Sequence, residues 1–191
     1  TRRSVPFDFP QFVLNGLTVR AFNAFYYWAG SRKTGEQLVD WDTYFYPLDA
    51  ILQWNRIYGR KGFAQFQCVL PLDASEEGLR ELLKATSKSG AGSFLAVLKR
   101  FGAQESAFSF PMEGYTLALD FPINPRTLAL LAELDRITLD HGGRFYLAKD
   151  ARMSAETFAA SDSRIEAFRA QRHVNSWQAR FASAQSERLA L

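Results

Sequence analysis

The sequence predicts an α+β fold: a ferredoxin-like antiparallel sheet with its helices on one face, followed by a C-terminal helical segment. Three observations carry this. Between residues 62 and 148, stretches with two-residue alternation exchange with stretches of helical spacing, in the order strand, helix, strand, strand, helix, strand. That order is the split βαβ unit, which packs both helices on one side of an antiparallel sheet. After Lys149 only helical spacing remains.

Thr1 to Pro10 reads as extended. Gly16 to Trp28 forms a helix with Asn15 as its cap and Val19, Phe22, Phe25 and Tyr26 on one side. Gly30 to Gly35 is a loop, and an aromatic segment runs from Trp41 to Tyr46, ending at Pro47. Leu48 to Tyr58 fits a short helix or a strand. Gly62 to Leu70 alternates like a strand and Pro71 closes it. Asp73 caps the next helix, with Glu76 as its capping-box partner. Leu79, Leu82, Leu83 and Thr86 form that helix's inward stripe, and Ser89-Gly90 ends it.

Phe94 to Phe101 is the second strand and Tyr115 to Phe121 the third. Asn124-Pro125 opens a helix with an Asn cap and Pro at the first helical position. Leu130, Leu134 and Ile137 keep helical spacing up to Gly142, and Arg144 to Ala148 is the fourth strand. Ser154 to Ala160, Arg164 to Arg172 and Trp177 to Leu189 read as three further helices, with no place in a ferredoxin-like unit.

Composition excludes several classes. A net charge of +3 in 191 residues, without a basic stripe, gives no nucleic-acid partner. With one cysteine, Cys68, no intrachain disulfide forms. With two histidines besides, no ordinary zinc site forms, and no metal is expected. No apolar run reaches bilayer-spanning length. The chain begins at Thr1, not Met, and is read as an excised fragment or a processed product.

Strand parity locates the chemistry. Ala64, Phe66, Cys68 and Leu70 share an apolar face suited to the helices, which makes Cys68 a buried structural thiol. Phe63, Gln65, Gln67 and Val69 share the other. Val97, Lys99 and Phe101 form one set on the second strand, and Thr116, Ala118 and Asp120 form the more polar set on the third. A solvated face would carry several charges. Amides, one lysine and large apolar groups are instead the mixture of a pocket for a polar, weakly charged ligand. As isolated residues Lys99 and Lys149 read as surface lysines; each has the chemistry to meet a phosphate or a cofactor oxygen.

One set of motifs goes further. It comprises Phe45-Tyr46-Pro47-Leu48-Asp49, Trp54-Asn55-Arg56, Gln65-Phe66-Gln67, Ser93-Phe94-Leu95, Lys99, Phe101-Gly102, Ser109-Phe110-Pro111, Asp120-Phe121-Pro122, Gly142-Gly143-Arg144 and Ala148-Lys149-Asp150. In this order, from about Tyr44 to Leu191, the chain resembles the C-terminal part of the decaprenylphosphoryl-ribose 2-oxidases. These belong to the FAD-linked oxidase superfamily typified by vanillyl-alcohol oxidase. The first forty residues match poorly.

The resemblance implies a substrate-binding (cap) domain over residues 1–143, with the ferredoxin-like unit from about 62 and its last strand at 144–148. Residues 149–191 would then complete an N-terminal FAD-binding domain lying outside this chain. It implies that Gln65, Gln67, Lys99, Phe101, Thr116, Ala118 and Phe45 line the substrate pocket. It also implies that Lys149 acts at the flavin and the reacting sugar, with Tyr146 close by. The implied chemistry is oxidation of a sugar hydroxyl by hydride transfer to FAD. The substrate would be a polyprenyl-phosphate sugar or another sugar, with a companion short-chain reductase finishing an epimerisation in cell-wall arabinan synthesis. The implied location is cytoplasmic or peripheral at the inner membrane. The fragment alone is expected to bind FAD poorly and to be inactive. The family often has Asn and Cys where this chain has Thr116 and Ala118, and Tyr where it has Phe45; these departures bear on the sugar. Two other readings fit the same residues: another FAD-linked oxidase, such as an aldonolactone oxidase, and a ferredoxin-like ligand-binding module without enzyme activity.

Overall fold

The structure, a computed structural model, describes residues 3–10, 13, 15–46, 49–93, 95–176 and 180–191. Thr1, Pro47, Leu48, Phe94 and Trp177, used above, lie outside the described residues. A four-stranded antiparallel sheet is built from β3 (Phe63–Pro71), β4 (Ala96–Phe101), β5 (Gly114–Pro122) and β6 (Arg144–Phe145). Its order is β4-β5-β3-β6, with every neighbouring pair antiparallel. This is the arrangement expected of the split βαβ unit. Two helices, α3 (Ser75–Ser89) and α4 (Pro125–Asp140), pack on each other and on one sheet face.

The core follows strand parity. Ala64, Phe66, Cys68 and Leu70 from β3 join Leu117, Leu119 and Phe121 from β5, Leu82 and Ala85 from α3, and Leu130, Leu134 and Ile137 from α4. The α4 start is as the sequence implies: the Asn124 side chain accepts from Thr127 N, Thr127 returns the bond, and Pro125 follows the cap. The α4 helix ends at Gly142, whose φ of +66° is left-handed and favours glycine. Gly114 opens β5 for another reason: a Cβ there would sit 1.9 Å from the Leu70 carbonyl oxygen.

Several expectations are corrected. The α3 cap is not an Asp73–Glu76 box. Ala74 is the cap, and Ser75 Oγ instead ties the helix start to the carbonyls of Leu70 (3.0 Å) and Pro71 (2.6 Å). Leu79 packs against the core as expected, but the buried stripe of α3 is Ser75, Gly78, Leu82 and Ala85, and Leu83 is left exposed on the flank. The fourth strand stops at Phe145, and residues Leu147–Lys149 form a 3-10 turn, closed by Lys149 N donating to Tyr146 O at 3.0 Å. No continuous helix runs to Leu189. Ser183 caps a separate helix, α7 (Ala184–Arg188), and a capping residue leaves helical geometry.

The N-terminal part forms α1 (Gly16–Ser31), the short α2 (Trp41–Phe45) and a parallel pair of two-residue strands, β1 (Arg3–Ser4) with β2 (Ile51–Leu52). Asn15 and Thr18 cap α1 reciprocally, yet no α1 residue is buried; Phe25 and Tyr26 stay exposed. The ambiguous 48–58 stretch resolves into β2 and a 3-10 helix at Trp54–Tyr58. At the other end, α5 (Ala155–Ser161), α6 (Ile165–Val174) and α7 pack on the sheet unit: Met153, Phe158, Ile165 and Leu189 enter its core. Among the described residues no helix is long and apolar enough to cross a membrane.

Candidate active site

Register places the polar residues of β3 and β5 opposite one another. Gln65 faces Asp120, Gln67 faces Ala118, and Val69 faces Thr116. On the outer side Lys99 faces Thr116 and Val97 faces Ala118. All lie on the face away from α3 and α4, as parity requires. The amides are tied down there. Gln65 Nε2 donates to Asp120 Oδ1 at 2.9 Å, and Gln67 Nε2 donates to Thr116 Oγ1 at 3.2 Å.

Asp120 is the centre of this cluster and only 1% exposed. The Tyr58 phenol, brought in by the Trp54–Tyr58 3-10 helix, and the Lys149 charge both act on it. Burial pushes the Asp120 carboxyl above its ordinary value, against Gln65, Lys149 and Tyr58, which pull it down. Burial likewise pushes the Tyr58 phenol well above its ordinary value, and the Asp120 charge adds to this. The Tyr58 ring stacks on Phe63 at 4.7 Å and meets Trp54 edge-on at 6.2 Å, which fixes it behind the carboxylate.

Lys149 is held by the chain around it. The 3-10 turn places it half-buried in a narrow cleft with Gln65, Gln67, Tyr146 and Asp150. Asp150 then anchors the turn. Its Oδ1 accepts from the backbone N–H of Arg152 (3.1 Å) and Met153 (2.8 Å), and its Oδ2 accepts from Arg188 Nη2 (2.8 Å). Burial opposes ionisation of Asp150, but these donors outweigh it and hold the carboxyl below the usual range. Gln185 Nε2 adds bonds to the carbonyls of Leu147 (2.7 Å) and Asp150 (3.1 Å). A second anchor lies beneath: Arg152 grips Asp135 with two bonds, at 2.6 and 2.7 Å.

One end of the sheet face is roofed. The loop between β4 and β5 carries Phe110 across it, where its ring stacks on Tyr146 (4.8 Å) and meets Phe101 edge-on (5.9 Å). Arg144 and Arg164 pin this loop through the Ser109 carbonyl, at 3.3 and 2.7 Å.

The structure thus brings Gln65, Gln67, Tyr146 and Lys149 to one cleft, with Thr116 and Ala118 beside it on β5. Phe101 belongs to the roof. Lys99 is exposed on edge strand β4. Phe45 stands on α2, 67% exposed, its ring edge-on to Tyr44 at 5.1 Å. Cys68 is fully buried on the opposite face, and burial pushes its thiol up to about 12. Among the described residues no cluster suited to a metal ion occurs.

Sequence reasoning missed Tyr58, Gln185 and Arg188, quoted Asp150 only within a motif, and placed Asp120 on this face without giving either acid a role. The presence of an acid within an otherwise apolar strand, Leu119-Asp120-Phe121, was the available signal for Asp120. The other four are assembled only by tertiary contacts.

No family model matches the chain. The decaprenylphosphoryl-beta-D-ribose oxidase of Mycolicibacterium smegmatis (strain ATCC 700084 / mc(2)155) is 37% identical over 193 residues, covering 98% of this chain and 41% of that protein. An uncharacterized protein in mprA 5'region of Streptomyces coelicolor is 32% identical over 144 residues, covering 74% of this chain and 39% of that protein. The chain spans about two-fifths of the length of these curated relatives. Over nearly its whole length, then, this chain resembles part of a decaprenylphosphoryl-beta-D-ribose oxidase.

Proposed function

We propose that this chain is the substrate side of an FAD-dependent oxidase acting on a hydroxyl of a polyprenyl-phosphoryl ribose-type sugar, within a longer protein. The observation that carries this reading is the convergence of Gln65, Gln67, Tyr146 and Lys149 on one cleft beside the buried Asp120. The likeness to the mycobacterial oxidase over 98% of the chain supports it.

The donor set fits the reactive edge of a flavin. Lys149 offers an ammonium to a ring oxygen, and Tyr146 on Phe110 offers an aromatic wall. No glycine-rich phosphate loop occurs in the sequence, so the pyrophosphate would be held by the rest of the longer protein. Bound FAD supplies the hydride acceptor.

This chain's own residues bind and orient. Gln65 and Gln67 hold the sugar hydroxyls, the buried Thr116 hydroxyl fixes the Gln67 amide, Phe101 and Phe110 exclude water at one end, and Lys99 meets the substrate at the edge strand. Lys149 Nζ handles the proton of the hydroxyl being oxidised, either by accepting it or, as an ammonium, by polarising the acceptor. The keto sugar formed is a substrate for a short-chain reductase. The polyprenyl tail of such a substrate brings the reaction to a membrane surface.

The test is anaerobic mixing of the purified longer protein with a short-chain polyprenyl-phosphoryl ribose, followed by flavin absorbance. Bleaching is expected. Bleaching by an aldonolactone alone would move the activity to that class. A longer protein that carries no flavin would leave a binding module.

A further inference from the structure

We propose that Asp120 is the positioning residue of this site: it fixes the Gln65 amide so that the carbonyl oxygen is left to accept a hydrogen bond from a sugar hydroxyl. This rests on the sugar-binding reading above and adds a residue and a direction to it.

The argument begins with the donor inventory. The amide edge that faces an accepting carboxylate oxygen is the nitrogen. The 2.9 Å bond from Gln65 Nε2 to Asp120 Oδ1 has that polarity. Opposed register on β3 and β5 keeps the two residues together. The carboxylate itself has no freedom to turn. It is 1% exposed, and its own backbone N–H is held by Ser93 Oγ at 3.1 Å.

Gln65 Oε1 is then the free acceptor of that amide. A freely rotating glutamine would show donors and acceptors alternately and read nothing. Fixed, it selects a ligand that donates, which a hydroxyl does and an ether or a deoxy carbon does not.

Packing alone gives no reason for the acid. The neighbours Leu119 and Phe121 fill the core from the other face of β5, and a buried carboxylate is costly unless its bonds have a use.

The probe is methyl β-D-ribofuranoside with its monodeoxy analogues, titrated calorimetrically into the longer protein. The unmodified protein should prefer the parent sugar over one analogue by about tenfold, the scale of one lost buried hydrogen bond. In Asp120→Asn the side chain offers either an oxygen or a nitrogen, so Gln65 is no longer held one way. The preference should fall toward unity while binding of the other analogues relative to the parent is kept.

A second variant covers the case in which Asp120→Asn does not fold. In Gln65→Glu, two carboxylates repel at neutral pH. On the acid side a protonated Glu donates to Asp120 and again presents its carbonyl, so sugar binding and the preference should return. An undiminished preference in Asp120→Asn, no discrimination in the unmodified protein, or no acid rescue of Gln65→Glu would each overturn the proposal. Sugar bound with the expected preference but never oxidised would sink the oxidase reading and leave this one standing.

Discussion

Arg188 closes on Asp150: Nη2 donates to Oδ2 at 2.8 Å across 38 residues of chain. This contact ties the last helix to the residue that follows Lys149. Arg188 also donates to the Met153 carbonyl, so one side chain braces the segment from Asp150 to Met153 that follows the turn.

Replacing Arg188 with Leu should therefore cost about 1–3 kcal/mol, since the Asp150 carboxylate loses a charged donor while 9% exposed. The pH dependence has a definite sign. The folded Asp150 carboxyl lies below its ordinary value, so the stability it contributes is present above about pH 4 and lost as pH falls through the depressed folded value. Urea unfolding of both proteins across that range checks this. Equal stabilities at neutral pH would show that the contact contributes nothing.

Asp120 should behave in the opposite sense. Burial raises its folded pKa, so the native state holds that proton more tightly than the unfolded chain. Its contribution to stability is then greatest below about pH 4 and declines as pH rises through the folded value. Asp120→Asn does not titrate. The stability of the unmodified protein minus that of the variant should fall as pH rises from 4 and then level off. A difference that grows with pH contradicts the assignment.

In the longer protein, if it acts as the proposed oxidase, Lys149→Ala should lower kcat far more than Lys99→Ala, by roughly a hundredfold or more, the scale of a lost proton-transfer group. Lys149 sits in the cleft, half-buried, whereas Lys99 is exposed on an edge strand. Lys99→Ala should mainly raise KM, as loss of uniform binding does. Steady-state kinetics decide, and equal losses in kcat would end this division of roles.

Cys68 should be inert. Its thiol is fully buried, with a pKa pushed up to about 12, and the thiolate is the reactive form. An aromatic disulfide reagent should label it only on unfolding. Nitroaromatics that capture an active-site thiol should form no adduct with the unmodified longer protein, because Ala118 occupies the matching place on the other face. Ala118→Cys should restore capture. Mass spectrometry distinguishes the two sites, and an adduct on Cys68 would reverse the assignment of faces.

Local chemistry wrote much of this structure into the sequence. Alternation in Phe63-Ala64-Gln65-Phe66-Gln67-Cys68 fixed both the strand and its two faces, because side chains on a strand alternate by backbone geometry alone. The Asn124-Pro125 start and the Gly142 stop fixed α4, because caps act within one helical turn. The polar set Gln65, Gln67 and Thr116 was legible for the same reason. Contacts between distant segments were not. Asp73 and Glu76 have the spacing of a capping box, but Ser75 found better acceptors at Leu70 and Pro71 once β3 had turned. A helical period continues past Phe181, yet Ser183 begins a new helix whose Leu189 reaches the core. The hold on Lys149 joins β3, a 3-10 turn and α7, and the setting of Asp120 joins β5, β3 and Tyr58. Such sites depend on which distant groups meet, and only burial, by making each unpaired polar group costly, selects those partners.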